Sequence, residues 1–170
     1  MMLSLAAIQD WELRNVYFEH AYLQALIGQE IFVEIPVIYR EFRGAVWRLD
    51  KAIYVWVQAG RCWSMEATAD FTAKGSEQSH ADRCMFHKIV DGEVVAVIII
   101  YADNLLISTK GPKIAAEFLA DLRSDHKLKE LRDARYYLGC HTTRDRKKRK
   151  INIDQHLYAR SMAERFGITK

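Results

Sequence analysis

The chain has 170 residues, of which 50% are hydrophobic and 28% are charged, and its formal net charge is +3. A chain of this length and composition can bury a core within one domain, so a wholly disordered chain is excluded. No apolar stretch approaches the roughly 20 residues of a membrane-spanning helix. We therefore expect a soluble protein with no membrane partner.

The first half of the chain predicts two helices separated by extended segments and a loop. The longer helix occupies the second half of residues 48–74, because Trp63, Ala67 and Phe71 recur on one helical face. Before it, the pattern predicts a helix at 3–11, a strand at 12–18, an extended segment at 30–35 and a loop at 37–45.

The second half predicts strands followed by helices. The dipeptide Asp91-Gly92 lies between two apolar runs and is typical of a β-hairpin turn. Gly111-Pro112 opens one helix, and Gly167 ends the last one. The predicted strands are 85–90, 94–101 and 105–108, and the last helix is 155–166. The chain shows no internal repeat and no linker, so we expect one domain.

A short acidic turn, Tyr101-Ala102-Asp103-Asn104, connects two of these strands. The runs on either side are apolar, and the first is rich in β-branched residues, as in buried strands. Two strands joined by a tight acidic turn are the means by which a polymerase palm presents metal-binding carboxylates. Here one of the two expected carboxylates is the amide of Asn104.

The basic character of the chain is local. Residues 144–150 carry six positive charges and one negative charge, a net charge of +5, which leaves −2 for the rest. Such a run can bind nucleic-acid phosphates or act as a nuclear-import signal. The charge run alone favours the alternative of a solvated hairpin tip between strands at 137–143 and 151–153. The candidate nucleic-acid-binding residues in this run are Arg144, Arg146, Lys147, Lys148, Arg149 and Lys150.

The three cysteines, Cys62, Cys84 and Cys140, are widely spaced and form no CxxC pair. This argues against a disulfide framework or a zinc ribbon and favours a reducing compartment, the cytoplasm or the nucleus. The apolar N-terminus lacks a basic region, which disfavours a secretory signal. Secretion by a pathogen into host cells stays open as an alternative.

One further group of residues has metal-ligand spacing. His80, Cys84 and His87 lie close together along the chain. No fourth ligand lies near them, and a strand is predicted to begin between them, so we expect no metal site there.

Five short blocks, in order, carry a family resemblance. They are AYLQA (21–25), the segment 54–63, the segment 100–107, YYLG (136–139) and ERFG (164–167). In sequence and spacing they are similar to the conserved blocks of copia-type long-terminal-repeat retrotransposon reverse transcriptases. The resemblance implies an α+β fold, a polymerase-palm-like antiparallel sheet with helices packed on one face. It also implies that residues 1–170 form a single truncated domain of palm and partial fingers.

The resemblance implies where the catalytic site lies and implies that it is degenerate. In the family a D-V-K-T-A-F-L-N-G segment begins with a metal-binding aspartate, and Tyr17 stands at that position here. The family turn Y-V-D-D is matched by Tyr101-Ala102-Asp103-Asn104, so Asp103 is kept and Asn104 replaces the third carboxylate. One carboxylate does not neutralise two Mg²⁺ ions, so we expect no bound Mg²⁺ and no metal site. Glu19 is an alternative ligand, but its shifted position disfavours it.

The middle block is altered as well. The family pattern L-Y-G-L-K-Q-A-P-R-x-W aligns with residues 53–63, which keep Gln58, Ala59, Arg61 and Trp63. Gln58 and Arg61 are therefore the nucleic-acid-binding candidates that the resemblance implies. Val55 replaces a glycine whose missing side chain permits close backbone approach, so template handling is expected to suffer.

Three functions remain open. The first is a catalytically inactive protein derived from a copia-type reverse transcriptase, a pseudoenzyme without polymerase activity. The second is an exapted interaction protein, such as a pathogen effector or a nuclear regulator, with a nucleic acid or a host protein as partner. The third is a residual RNA-directed DNA polymerase subunit, working alone or completed by another polypeptide.

Overall fold

The computed structural model describes residues 1–42, 44–131 and 136–168. Within these ranges the helices are α1 (Met2–Ile8), α2 (Ala21–Gln24), α3 (Ala59–Ala73), α4 (Pro112–Asp125) and α5 (His156–Arg165), with a 3₁₀ turn at Arg40–Phe42. The strands are β1 (Glu12–Phe18), β2 (Leu26–Glu34), β3 (Val46–Lys51), β4 (Ser76–Gln78), β5 (Met85–Val90), β6 (Glu93–Tyr101), β7 (Asn104–Thr109), β8 (Leu128–Leu131), β9 (Tyr136–Tyr137), β10 (Cys140–Asp145) and β11 (Lys150–Asp154). The mixture of helices and antiparallel strands confirms the α+β class.

The main sheet has six strands in the order β4-β5-β6-β7-β1-β8, and every neighbouring pair is antiparallel. Strands β6 and β7 lie at its centre because they are apolar on both faces. Val97 and Leu106 are buried on one face, whereas Ile98, Leu105 and Ile107 are buried on the other. Other elements must therefore pack on both faces of the sheet to shield these side chains from water.

The hairpin between β5 and β6 forms where the sequence predicts it. Asp91 and Gly92 have φ angles of +53° and +78°, as expected for a two-residue turn whose twist matches that of the strands. Glycine accepts this conformation without steric cost, and aspartate tolerates it.

Helices α3 and α4 cover the face that carries Ile98 and Leu105. The ring of Phe71 in α3 meets Phe86 of β5 edge to face, with 5.0 Å between centroids, and lies 6.1 Å from the ring of Phe118 in α4. All three rings are buried. Each contributes about 1.5–3 kcal/mol of burial free energy, so this aromatic group is a main source of stability.

Helix α1 covers the opposite face. Met2, Ala6 and Trp11 are buried there against Val97 and Leu106. The expectation that helices pack on one face therefore holds for α3 and α4 and is wrong for α1. The physical reason is the unbroken apolar run of β6, which buries side chains on both sides of the sheet. No helix among the described residues has the length and apolar character needed to cross a membrane.

Two smaller sheets complete the described part of the chain, one ordered β11-β10-β9 and one formed by β2 and β3. Leu138 and Gly139 have φ angles of +48° and +78°, and the chain reverses at this pair between β9 and β10. The predicted single strand at 137–143 is therefore wrong. Tyr137 and Ile151 pack against the cluster around α1, which places this sheet on the α1 side.

Candidate functional site

The acidic turn is a two-residue connection, Ala102-Asp103, between β6 and β7. Ala102 has a φ of +49°, a region that costs a residue with a Cβ about 1–2 kcal/mol. Two hydrogen bonds hold the turn in place. The indole Nε1 of Trp63 donates to the Ala102 carbonyl at 2.9 Å, and the backbone N–H of Phe18 donates to the Asp103 carbonyl at 2.8 Å. Helix α3 and the end of β1 thus fix the turn.

The end of β1 brings Tyr17 to the same place. The register pairs Tyr17 with Asn104, the first residue of β7. The Tyr17 hydroxyl donates a hydrogen bond to the Asp103 Oδ2 at 2.9 Å. The structure therefore brings together the three positions singled out from the sequence: Tyr17, Asp103 and Asn104.

A second tyrosine meets the same carboxylate oxygen. The Tyr54 hydroxyl donates to the Asp103 Oδ2 at 3.1 Å. The Tyr54 ring also packs at a tilt against Tyr22 of α2, with 4.7 Å between centroids. Sequence reasoning missed this role for Tyr54. The only available signal was its place within the middle block, which gives no indication of a contact with the turn.

The Asp103 carboxylate affects the ionisation of both tyrosines. Its hydrogen bond, supported by burial, raises the pKa of Tyr17 above the usual value. Burial, followed by the negative charge of Asp103, raises the pKa of Tyr54 to about 12. Both hydroxyls are therefore protonated at neutral pH and act as hydrogen-bond donors.

Asp103 is the central acceptor of this site. Its Oδ2 accepts both tyrosine hydrogen bonds, while its Oδ1 is buried without a hydrogen-bond partner in the described part of the chain. Within residues 1–42, 44–131 and 136–168, no group of three His, Cys, Asp or Glu side chains with metal-binding spacing includes Asp103 or Glu19. The site therefore combines one carboxylate with two neutral phenols and the amide-bearing Asn104.

Gln58 and Arg61 line one groove, and neither Tyr17 nor Asp103 is among its lining residues. The groove has a volume of about 740 Å³ and lies between the start of α3 and strand β2. The side-chain amide of Gln29 in β2 donates to the Gln58 Oε1 at 3.3 Å, across the groove. Trp56 and Ile27, which also line the groove, pack against the core on the α3 side of the main sheet.

The basic run forms the hairpin between β10 and β11, and its arginines bind to the rest of the fold. Arg144 donates to the carbonyls of Trp11 at 2.6 Å and Ala6 at 3.0 Å, and to the Asp10 carboxylate at 2.8 Å. Its side chain is only 18% exposed. The guanidinium therefore acts as a cap for the C-terminal end of α1, where a positive charge is favourable.

The other two arginines of the run extend this contact. Arg146 pairs with Asp10 at 2.9 Å and with Glu12 at 2.7 Å, and Arg149 donates to the Ile8 carbonyl at 3.1 Å. The run therefore lies on the α1 side of the main sheet, opposite the face that carries Gln58 and Arg61. The structure does not join the two sets of nucleic-acid-binding candidates into one surface.

The reverse transcriptase (RNA-dependent DNA polymerase) family model matches residues 1–170. The chain is similar to the retrovirus-related Pol polyprotein from transposon TNT 1-94 of Nicotiana tabacum, with 29% identity over 98% of this chain and 13% of that protein. It is also similar to the retrovirus-related Pol polyproteins from transposons RE2 and RE1 of Arabidopsis thaliana, which are 27% and 25% identical over 85% of this chain and 10% of each protein.

The chain thus spans 10–13% of the length of these curated relatives. No solved structure matches it. The whole-chain family match and the similarity to three transposon polyproteins confirm the resemblance to copia-type reverse transcriptases. The chain belongs to the reverse transcriptase (RNA-dependent DNA polymerase) family.

Proposed function

We propose that this protein is a catalytically inactive member of the reverse transcriptase family, a pseudoenzyme that extends no primer. One observation carries the proposal: the hydroxyl of Tyr17, at the position where the family resemblance implies the first metal-binding carboxylate, donates to the Asp103 Oδ2. A neutral hydrogen-bond donor thus stands in place of an anionic ligand.

The chemistry of nucleotidyl transfer explains why this substitution matters. Two Mg²⁺ ions, which lie about 3.5–4 Å from each other, are held by carboxylates. They activate the attacking hydroxyl and stabilise the leaving oxygen. Asp103 supplies one carboxylate, and its Oδ2 is already bonded to Tyr17 and Tyr54. A tyrosine hydroxyl keeps its proton at neutral pH, and the raised pKa of Tyr17 and of Tyr54 favours this neutral form further. These residues do not fit a pair of Mg²⁺ ions.

Metal binding tests this proposal directly. Mn²⁺ replaces Mg²⁺ in the assay because its electron paramagnetic resonance signal falls when it is bound. We expect no Mn²⁺ binding at the turn of the wild-type chain. We expect binding in the double variant Tyr17→Asp/Asn104→Asp, which restores both carboxylates. Tyr17→Asn is the matched control, because it removes the same hydroxyl without adding a charge.

Two results would count against the proposal. Wild-type Mn²⁺ binding that disappears in Asp103→Asn would show that one carboxylate is enough. A folded double variant, verified by circular dichroism, that binds no more Mn²⁺ than the wild type would show that Tyr17 and Asn104 are not the positions of the lost ligands.

A second candidate function is nucleic-acid binding by an interaction protein. The exposed lysines of the hairpin favour this function. The arginines of the run are already bonded to residues between Ala6 and Glu12, so the lysines are the cations left for a ligand. In the described part of the chain Lys147 and Lys150 form no ion pair, and the ammonium group of Lys148 has only a long contact of 3.9 Å with the Asp145 carboxylate. Three exposed ammonium groups on one hairpin are suited to phosphate contacts.

Fluorescence anisotropy with a single-stranded RNA or DNA oligonucleotide tests this second function. The triple variant Lys147→Ala/Lys148→Ala/Lys150→Ala should bind more weakly. The slope of log affinity against log salt should fall by about 0.7–0.9 per lost phosphate contact. A matched control removes the same charge elsewhere, from the exposed residues Lys113, Lys127 and Lys129. Equal losses in the two triple variants would indicate a nonspecific charge effect and contradict a hairpin site.

A further inference from the structure

Three possible metal ligands converge where the β10–β11 hairpin meets α5. The ligand atoms of His141, Asp154 and His156 all lie within 4.8 Å of one another. His141 Nδ1 is 3.2 Å from Asp154 Oδ2, and His156 Nδ1 contacts Asp154 Oδ1. The two imidazole rings lie 5.2 Å apart and nearly perpendicular. Among the described residues this is the only group with such spacing, and His80, Cys84 and His87 do not form one.

The hairpin register creates this group. His141 of β10 pairs directly with Asp154, the last residue of β11, so their side chains lie on the same face of the small sheet. His156 is the first residue of α5, two positions after Asp154. The strand-to-helix junction turns the second imidazole back toward the carboxylate. The hairpin and the start of α5 thus position the three side chains together.

Helix α5 needs an anchor, which gives the group a structural role. None of its residues is buried. Its apolar side chains are partly open to solvent, with Leu157 40% and Tyr158 56% exposed, and Phe166 just beyond it is 69% exposed. A helix of 10 residues is marginal in water without packing, because isolated helices shorter than about 12–15 residues rarely persist. A bond between His156, the first residue of α5, and the side chains of the hairpin would hold this helix in place.

We propose that His141, Asp154 and His156 bind a divalent transition-metal ion, Zn²⁺ first among them, and that this ion fastens α5 to the β10–β11 hairpin.

The donor set suits Zn²⁺ better than the hard cations. Two imidazole nitrogens and one carboxylate oxygen are ligands that Zn²⁺ accepts, with a water in the fourth position, whereas Mg²⁺ and Ca²⁺ prefer oxygen ligands. Tetrahedral bonds of about 2.0–2.1 Å place neighbouring donor atoms roughly 3.4 Å apart. The distance of 3.2 Å from His141 Nδ1 to Asp154 Oδ2 is already close to this value.

The same side chains also have a role without metal. Asp154 Oδ1 accepts a hydrogen bond of 3.3 Å from the backbone N–H of His156, as in a turn that starts a helix. If this turn were their whole role, the chain would have no need of an ion. The two roles differ in one measurable respect. The ordering of α5 depends on metal only if the three side chains bind the proposed ion.

The experiment uses the full 170-residue chain, treated with a chelator, desalted and kept reduced. ZnCl₂ is titrated in competition with a chromogenic indicator, and CoCl₂ is titrated as a probe whose visible absorption reports nitrogen and oxygen ligands. Far-ultraviolet circular dichroism and thermal unfolding are recorded with and without Zn²⁺. We expect one ion per chain, a gain in helical signal and a higher Tm.

Variants assign the site. His141→Ala and His156→Ala should each weaken Zn²⁺ binding by about 100-fold or more, at or beyond the 10–100-fold typical of outer-shell partners. Asp154→Asn keeps a side-chain oxygen that can accept the hydrogen bond from the His156 N–H. This variant should bind Zn²⁺ more weakly while the chain stays folded. His80→Ala is the matched control, because this exposed histidine lies outside the group, and it should bind Zn²⁺ as the wild type does.

Three results would overturn the proposal. The first is the absence of stoichiometric Zn²⁺ binding by the wild-type chain. The second is unchanged binding in both His141→Ala and His156→Ala, which would place the ion elsewhere. The third is Zn²⁺ binding at these residues with no change in helical signal or Tm. This result would show that the ion does not fasten α5 to the hairpin.

Discussion

The Tyr17 hydroxyl donates a hydrogen bond of 2.9 Å to the Asp103 Oδ2, which joins the end of β1 to the turn between β6 and β7. Two carboxylates at such a distance would repel each other unless a cation lay between them. With a tyrosine in one position, the same distance becomes an attractive contact that requires no metal. The pair therefore explains how the turn is held in a chain that we propose to be metal-free at this site.

Replacement of Tyr17 by Phe removes this hydrogen bond and keeps the ring. Hydrogen bonds to charged groups contribute about 1.5–3 kcal/mol, and the remaining donor, Tyr54, offsets part of the loss. We expect Tyr17→Phe to lower the free energy of unfolding by about 1–2 kcal/mol in urea denaturation. Tyr101→Phe is the control, since Tyr101 is 59% exposed and forms no hydrogen bond with Asp103. Equal stabilities of Tyr17→Phe and the wild type would contradict this role.

Tyr54 should make stability depend on alkaline pH. Burial and the Asp103 charge raise its pKa in the folded chain to about 12, from 10.0 in the unfolded chain. Below pH 10 both states hold the proton, so the contribution of Tyr54 is complete. Between pH 10 and 12 the unfolded state loses the proton first, and the contribution decreases as pH rises.

The measurement is urea denaturation of the wild type and Tyr54→Phe at intervals from pH 8 to pH 11. The difference in unfolding free energy between the two proteins should be constant up to about pH 9.5 and shrink above it. Using the difference removes the titration of the other tyrosines and the lysines. A difference in unfolding free energy that grows with pH in this window would contradict a raised pKa of Tyr54 in the folded chain.

Trp63 connects the turn to the core. It is 2% exposed, its Nε1 donates to the Ala102 carbonyl, and its ring meets Phe18 edge to face at 4.8 Å. Trp63→Phe removes the donor and leaves a cavity, so we expect a loss of about 2–4 kcal/mol in unfolding free energy. Trp47→Phe, at a position that is 42% exposed, should cost less than about 1 kcal/mol. Similar losses for the two variants would contradict this role of Trp63.

Arg144 should behave as a structural residue rather than as a phosphate ligand. Its guanidinium bonds to two carbonyls near α1 and to Asp10. Arg144→Ala would leave these acceptors without their partner, so we expect a loss of about 2–3 kcal/mol in thermal or urea unfolding. Lys147→Ala, at the exposed tip, should change stability by less than about 0.5 kcal/mol. A fully stable Arg144→Ala variant would show that this contact does not stabilise α1.

The main sheet was largely predictable from local signals. Asp91-Gly92 and the apolar runs around it predict the β5–β6 hairpin, and helical spacing predicts α3 and α4. Strands β3, β4 and β8 were missed. Each is short, partly exposed and paired with a segment far along the chain or at a sheet edge, so its sequence carries little periodic signal.

The site was predictable only in part. The family blocks predict that Tyr17 lies near Asp103 and Asn104, and the register confirms this proximity. The contact of Tyr54 was not predictable, because it depends on how the segment before α3 lies against the turn. The role of Arg144 had a weak signal: alternation along β10 places it on the same face as the buried Thr142. The summed charge of residues 144–150 gives no indication of which side chains face the fold and which face solvent.

The central claim is that the turn no longer supports polymerisation, and primer extension tests it most directly. The purified 170-residue chain is incubated with a primed RNA template, deoxynucleoside triphosphates and Mg²⁺ or Mn²⁺, beside its own Asp103→Asn variant. We predict that the wild type extends no primer above the level of Asp103→Asn. Metal-dependent extension by the wild type that Asp103→Asn abolishes would contradict the claim and show that Asp103 still takes part in catalysis.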